Sequence, residues 1–537
     1  MRQELTAKVQ SRAERIQLSW RMRRGRARLI VGTILAAFAN LGSVGIAASL
    51  RQDRHIVIVV WDGMRPDFVS EQNTPTLWNL AKGGVTFRNH HSVYPSATIV
   101  NGTAINTGFY PDRSGILANH DYRPEIHAQK SIDVETVGVV RKGDDVSGGK
   151  YLTVPTIAEL VHEHGGETAI ATAKTVGLLF DRHCDSSACR DISAGTALPH
   201  DAVDSIVKLI GAFPPANRPG DRDSWTARAV TDFLWEKKLP VFSLLWLSEP
   251  DDTEHHTAPG DPVALAAIKS SDQNLARVLE ALDKKNARST TDVFVVSDHG
   301  FSTIARSINV PKILRDAGFD AVIEFANEPK PGQIMIVGNG GTVLFYVIGH
   351  DASITRRLVE FLQQTDFAGV IFTREAMEGT FTFDKAKVDS AHAPDVEMAF
   401  RWNENQNQFG APGMMDGDWQ RAAGKGTHAT LGKFDMHNML IAAGPDFKNG
   451  LTSELPSGNV DLAPTICSIL GINPSSPMDG RLLEEAMASA KNSPAQATTE
   501  NLEATKKFPD GEWRQSLRVS RVGSTIYLDE GNGAYTR

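Results

Sequence analysis

Ile56-Val57-Ile58-Val59-Val60-Trp61-Asp62-Gly63 is the stretch that decides the architecture. Its apolar run is too short for a globular helix and rich in β-branched residues, which is the signature of a strand buried on both faces of a parallel sheet. The run ends in a carboxylate and a glycine, at the strand end where open α/β sheets place their active sites. The same design recurs along the chain. Val241 to Leu247 runs into Glu249-Pro250-Asp251 and then His255, and Val293 to Val296 runs into Asp298-His299-Gly300. Thr168 to Ala171 and Met439 to Ala442 read as further strands of the sheet. Helical patterns at Thr76 to Lys82, Val154 to His164, Pro262 to Lys284 and Val310 to Ala317 alternate with them. The expected fold is a doubly wound α/β core with a mostly parallel sheet and helices on both faces.

The 537 residues accommodate one such core carrying insertions. Hydrophobic residues at 41% and charged residues at 22% exclude a largely disordered chain. A net charge of −8, with no long basic run beyond the N-terminus, argues against nucleic acid as the main partner. That N-terminus sets Arg21, Arg23, Arg24, Arg26 and Arg28 before an apolar run from Leu29 to Leu50 that closes on Ala47-Ala48-Ser49. Residues 1–50 therefore read as an export signal or a single-span anchor, sending the protein to a bacterial periplasm or outside the cell. Cys184 and Cys189 flank a short polar segment where an oxidising compartment would allow a disulfide, and Cys467 reads as a buried small hydrophobe. The expected core is 51–302 with 426–485. Residues 303–425, with the strand-like Thr342 to Val347, form an inserted subdomain, 486–510 an Ala/Ser/Asn-rich linker, and 511–537 a hairpin-like extension.

Taken singly, each polar residue at a strand end has an ordinary reading as a cap or a solvated turn. Together Asp62, Asp251, His255, Asp298, His299 and His428 supply three carboxylates and three imidazoles to one sheet edge. That donor set, without thiolate, suits zinc or a similar divalent ion, and six ligands suffice for two ions with open positions. Two such ions clamp the attacking and departing oxygens of a displacement at phosphorus. The nucleophile is sought in Tyr94-Pro95-Ser96-Ala97-Thr98-Ile99-Val100-Asn101-Gly102-Thr103, where hydroxyls stand at the start of a helix whose N-terminal amides attract phosphate.

Asp62-Gly63, Thr98-x-x-Asn101, Thr107-Gly108-Phe109-Tyr110-Pro111 with Gly115-Ile116, Glu249-Pro250-Asp251-x-x-x-His255, Ser297-Asp298-His299-Gly300 and Gly426-x-His428 occur in this order. The series resembles the nucleotide pyrophosphatase/phosphodiesterase (type I phosphodiesterase) family of the alkaline phosphatase superfamily, from about His55 to Leu483. The resemblance implies an alkaline-phosphatase-like fold and a small phosphorylated substrate. It implies two zinc ions, one on Asp62, Thr98, Asp298 and His299, the other on Asp251, His255 and His428. Thr98 would attack phosphorus to form a phosphothreonine, and Asn101 would bind the non-bridging oxygen. Ile99 and Val100 depart from the family's pattern around the nucleophile. Thr168-Ala169-Ile170-Ala171-Thr172-Ala173-Lys174 resembles a segment of phosphonoacetate hydrolases, which makes Lys174 a candidate substrate contact and a C–P hydrolase the alternative activity. A metal-stabilised binding protein without turnover is the reading from another class.

Overall fold

The computed structural model describes residues 50–181, 191–198, 202–490 and 496–537. The segment read as an export signal or anchor, apart from Leu50, and the Cys184–Cys189 pair lie outside them. Among the described residues no helix is long and apolar enough to cross a membrane.

Strand His55–Trp61 lies at the centre of a nine-stranded sheet, paired in parallel with Thr291–Val296 on one side and Phe242–Leu247 on the other. Thr168–Thr172 and Asp191–Ser193 continue the parallel set. Leu440–Ala443 joins the other side antiparallel, next to Thr291–Val296. All five strands expected from sequence are in this sheet. Ile56, Ile58 and Val60 point into one apolar layer and Val57, Val59 and Trp61 into the other, as the two-residue side-chain period requires when helices cover both faces. Helix Pro262–Lys284 has the limits read from its pattern, because Asp261 caps it by accepting from the Val263 amide and Pro262 takes the first helical position.

The two ends of the proposed insertion meet. Strand Ser302–Ser307 pairs antiparallel with Gly426–Thr427, so the chain leaves and re-enters the core at one place. Between them, Thr342–Val347 and five other strands form a second sheet with its own apolar core around Leu358, Ile336 and Phe345.

The C-terminal region differs from its reading as linker plus hairpin. Three strands of twelve residues each, Ala497–Phe508, Gly511–Val522 and Thr525–Thr536, form an antiparallel sheet, the first within the segment read as a linker. That strand is exposed on both faces over its first five residues, which carry no apolar alternation, and only its later residues Leu502, Ala504 and Phe508 pack against the apolar clusters. The middle strand fastens the sheet to the insertion: Trp513 is fully buried with its indole N–H on Gly379 O, and Gln515 bonds both the N–H and the C=O of Ile371.

Candidate active site

Five of the six candidate ligands stand where the main sheet ends. Asp62 follows His55–Trp61, Asp298 and His299 follow Thr291–Val296, and Asp251 and His255 lie one turn apart on the short helix Asp251–His256 after Phe242–Leu247. His428 follows the returning strand Gly426–Thr427. Gly63 makes the turn possible. Its φ is +73°, and a Cβ there would sit 3.0 Å from the Phe301 ring and 3.1 Å from Asp251 Cβ.

The three carboxylates share a polarity. One oxygen of each is held by protein donors: Asp62 Oδ2 accepts from the Trp246 indole at 2.9 Å, Asp298 Oδ1 from the Gly63 amide at 3.0 Å, and Asp251 Oδ2 from Lys174 at 2.5 Å. The other oxygen of each, Asp62 Oδ1, Asp251 Oδ1 and Asp298 Oδ2, is buried with no hydrogen-bond donor. Leaving three such oxygens bare and close together is costly unless a cation compensates them.

The imidazoles are oriented in the same sense. Nδ1 of His255 faces Gly426 O at 3.1 Å, Nδ1 of His428 faces Ser96 O at 2.8 Å, and Nδ1 of His299 faces Gly300 O at 2.9 Å. A carbonyl only accepts, so Nδ1 carries the proton and the Nε2 lone pair is presented to the carboxylates. His255 and His428 Nε2 lie 3.2 and 3.5 Å from Asp251 Oδ1, and His299 Nε2 lies 3.2 Å from Asp298 Oδ2 and 3.6 Å from Asp62 Oδ1. Burial holds His428 and His255 below the ordinary histidine range, which keeps them neutral and ligand-ready. Burial, then Asp251 and Asp298, raises Asp62 well above the usual carboxylate range. Asp251 is drawn well below it, since His255 and Lys174 outweigh the opposing effect of burial. Two groups have metal-ligand spacing: Asp62, Asp298 and His299, and Asp251, His299 and His428. The first matches the set expected for one ion. In the second, His299 joins Asp251 and His428, while His255 abuts the same Asp251 oxygen.

Thr98 opens the ten-residue helix Thr98–Thr107, and its hydroxyl is 3.2 Å from His299 Nε2. It lines a cavity of about 350 Å³ together with Asp251, His255, His428, Lys174 and Asn119.

Asn101 is not at this cavity in any useful sense. Its Oδ1 accepts from the Val93 amide and from Asn459, and its Nδ2 donates to the carbonyls of Val93, Pro95 and Ala97. On a helix a side chain leans back over the preceding turn, so Asn101 reaches the backbone before the helix rather than the space above Thr98. Asn119, which sequence reasoning missed, does line the cavity. Its Oδ1 accepts from the Ile99 amide at 2.9 Å and its Nδ2 has no acceptor among the described residues. It sits in an irregular segment with no period to expose it. Lys174 lines the cavity as expected, but its ammonium is spent on Asp62 Oδ2 at 2.9 Å as well as on Asp251. It clamps one carboxylate from each candidate group instead of reaching into free space.

The model of the type I phosphodiesterase / nucleotide pyrophosphatase family matches residues 56–402. Human ectonucleotide pyrophosphatase/phosphodiesterase family member 5 is 22% identical over 463 residues, covering 83% of this chain and 79% of that protein. The Xenopus laevis bis(5′-adenosyl)-triphosphatase is 22% identical over 80% of both chains. The Naja atra venom phosphodiesterase is 22% identical over 78% of this chain but only 44% of its own length. The solved structure of human ectonucleotide pyrophosphatase/phosphodiesterase 5 superposes with a TM-score of 0.58 at 17% identity, over 81% of this chain and all of that one. That likeness establishes an alkaline-phosphatase-like fold.

Proposed function

The chain belongs to the type I phosphodiesterase / nucleotide pyrophosphatase family, and on that premise we propose that it is a two-metal hydrolase cleaving phosphodiester or pyrophosphate bonds through a phosphothreonine at Thr98. The observation that carries this reading is the set of three donor-free carboxylate oxygens converging with three imidazole Nε2 atoms beside the Thr98 hydroxyl. Asp62, Asp298 and His299, with Thr98, would hold one ion, and Asp251, His428 and His255 the other, with zinc the ion that this donor set favours. When bound, such ions supply Lewis acidity at the attacking and departing oxygens.

The residues of the chain do the rest. Thr98 Oγ1 bonds to phosphorus as the P–O bond to the leaving group breaks, and water then cleaves the phosphothreonine in a second displacement. The Thr98 amide at the start of helix Thr98–Thr107 and Nδ2 of Asn119 would donate to the oxygen on which charge builds. Lys174 holds Asp62 and Asp251 at a fixed separation through their outer oxygens. The arginine-led apolar N-terminus supports export, as a cleaved signal or as an anchor.

Two asparagine variants separate catalysis from support. Asn119→Ala should lower kcat by about 10²–10³ and cost about 1 kcal/mol in urea unfolding, for the single Ile99 amide it leaves unpaired. Asn101→Ala should strand the Val93 and Asn459 donors and cost about 3 kcal/mol in urea unfolding, with a smaller effect on kcat. The opposite pattern would return Asn101 to the reaction centre.

The zinc-loaded chain should be assayed on bis-p-nitrophenyl phosphate, p-nitrophenyl phosphate, thymidine 5′-monophosphate p-nitrophenyl ester and phosphonoacetate. Preference for the two diesters is expected. Phosphate release from phosphonoacetate alone would move the chain to C–P hydrolysis, and inactivity on all four would leave a binding protein.

A further inference from the structure

Two guanidinium groups, Arg222 on the helix Pro219–Arg228 and Arg421 before the returning strand, line the same cavity as Thr98. Four other arginines are committed to carboxylates, Arg65 to Asp67, Arg123 to Asp121, Arg306 to Asp416 and Asp366, and Arg481 to Glu485. Neither Arg222 nor Arg421 has an ion pair or a side-chain hydrogen bond among the described residues. Arg222 is nonetheless held in place. Its guanidinium lies 4.7 Å from the centre of the Phe213 ring, which packs edge-on against Trp225, and its Nε is buried without an acceptor. A rigid fork of donors with nothing to receive them is an anion site in waiting, since guanidinium has five donors and accepts nothing.

None of the cavity's four acidic residues, Asp133, Glu135, Asp251 and Asp252, forms an ion pair with either arginine, and Asp251 is taken by Lys174. Asp252 faces Lys174 at 3.7 Å, and burial pushes Glu135 up to about 7, so that its negative charge is only partial at neutral pH. Among the described residues the walls contain no Phe, Tyr or Trp. A compact ligand that carries a second anionic group would find donors for it in the two guanidinium groups.

We propose that Arg222 and Arg421 form an anion subsite beside the reaction centre, so that the substrate carries, besides the reacting phosphoryl group, a second anionic group, carboxylate or phosphate. This rests on the reading of the site as a phosphoryl-transfer centre and narrows its substrate class.

The test compares wild type with Arg222→Gln, Arg421→Gln and the double variant on three substrates: bis-p-nitrophenyl phosphate, phosphonoacetate and inorganic pyrophosphate. Intrinsic reactivity cancels in the wild-type-to-variant ratio of kcat/KM. The loss on the anionic substrates should exceed that on bis-p-nitrophenyl phosphate by roughly ten- to a hundredfold, mainly through KM. A loss confined to phosphonoacetate identifies a carboxylate, and one confined to pyrophosphate a phosphate. Equal losses on all three, or none on any, overturn the subsite while leaving the hydrolase intact. Calorimetric binding of phosphonoacetate and pyrophosphate to the same proteins decides the case in which wild type turns over nothing. Binding weakened in the glutamine variants then upholds the subsite although the hydrolase reading has failed, and unchanged binding overturns both.

Discussion

Thr98→Ala protein should bind its divalent ions and lose turnover by about three orders of magnitude or more, because the change deletes the attacking atom and little else. Thr98 sits at the first position of its helix with its hydroxyl toward His299, and the bare carboxylate oxygens belong to Asp62, Asp251 and Asp298, none of which it supports by a hydrogen bond. Ala97, already outside the helix, keeps its carbonyl on the Asn101 amide, so the helix start survives. The measurement is kcat on a diester beside metal content by elemental analysis. Full metal with activity within tenfold of wild type would remove the phosphothreonine scheme and leave water as the only attacking group. Loss of metal and activity together would make Thr98 a ligand first.

Five of the six candidate ligands were legible because they follow strands whose own pattern is unmistakable, whereas His428 follows only the two-residue strand Gly426–Thr427. Val57, Val59 and Trp61 predict the strand, and the strand predicts where Asp62 must emerge. The same logic finds Asp298 and, one turn into a helix, Asp251 with His255. It fails for groups whose meaning lies in a distant partner. Lys174 sits at a strand end like the others, yet nothing near it in sequence announces Asp62 and Asp251 as its acceptors. The family resemblance points to Asn101 through the Thr98-x-x-Asn101 spacing, but that spacing puts its side chain over the turn it follows. The strand Ala497–Phe508 escaped because its first five residues are held by pairing with Gly511–Val522 and bury no face, and sequence periodicity reports faces, not hydrogen bonds.

Asp298→Asn should uncouple stability from divalent ions, and the sign of its effect should reverse between metal-free and metal-loaded protein. In the metal-free protein the Asp298 carboxyl is buried, and burial raises it above its ordinary range, so its ionised form is a burden on the fold. The amide can still accept the Gly63 N–H through its oxygen while carrying no charge. The metal-free variant should therefore melt at or above wild type. Loading reverses the order, because ions that bind only the folded chain stabilise it by RT ln(1 + [M]/Kd), about 4.1 kcal/mol per site at a thousandfold excess over Kd. Wild type should gain about 10 °C in Tm between excess chelator and excess zinc. The variant should keep at most half of that gain and lose detectable turnover, since the group of Asp62, Asp298 and His299 has lost its bare oxygen. Thermal melts of both proteins with chelator and with zinc give all four values. An equal gain in the two proteins would mean that zinc binds elsewhere, and the six converging donors would then need an explanation other than a metal centre.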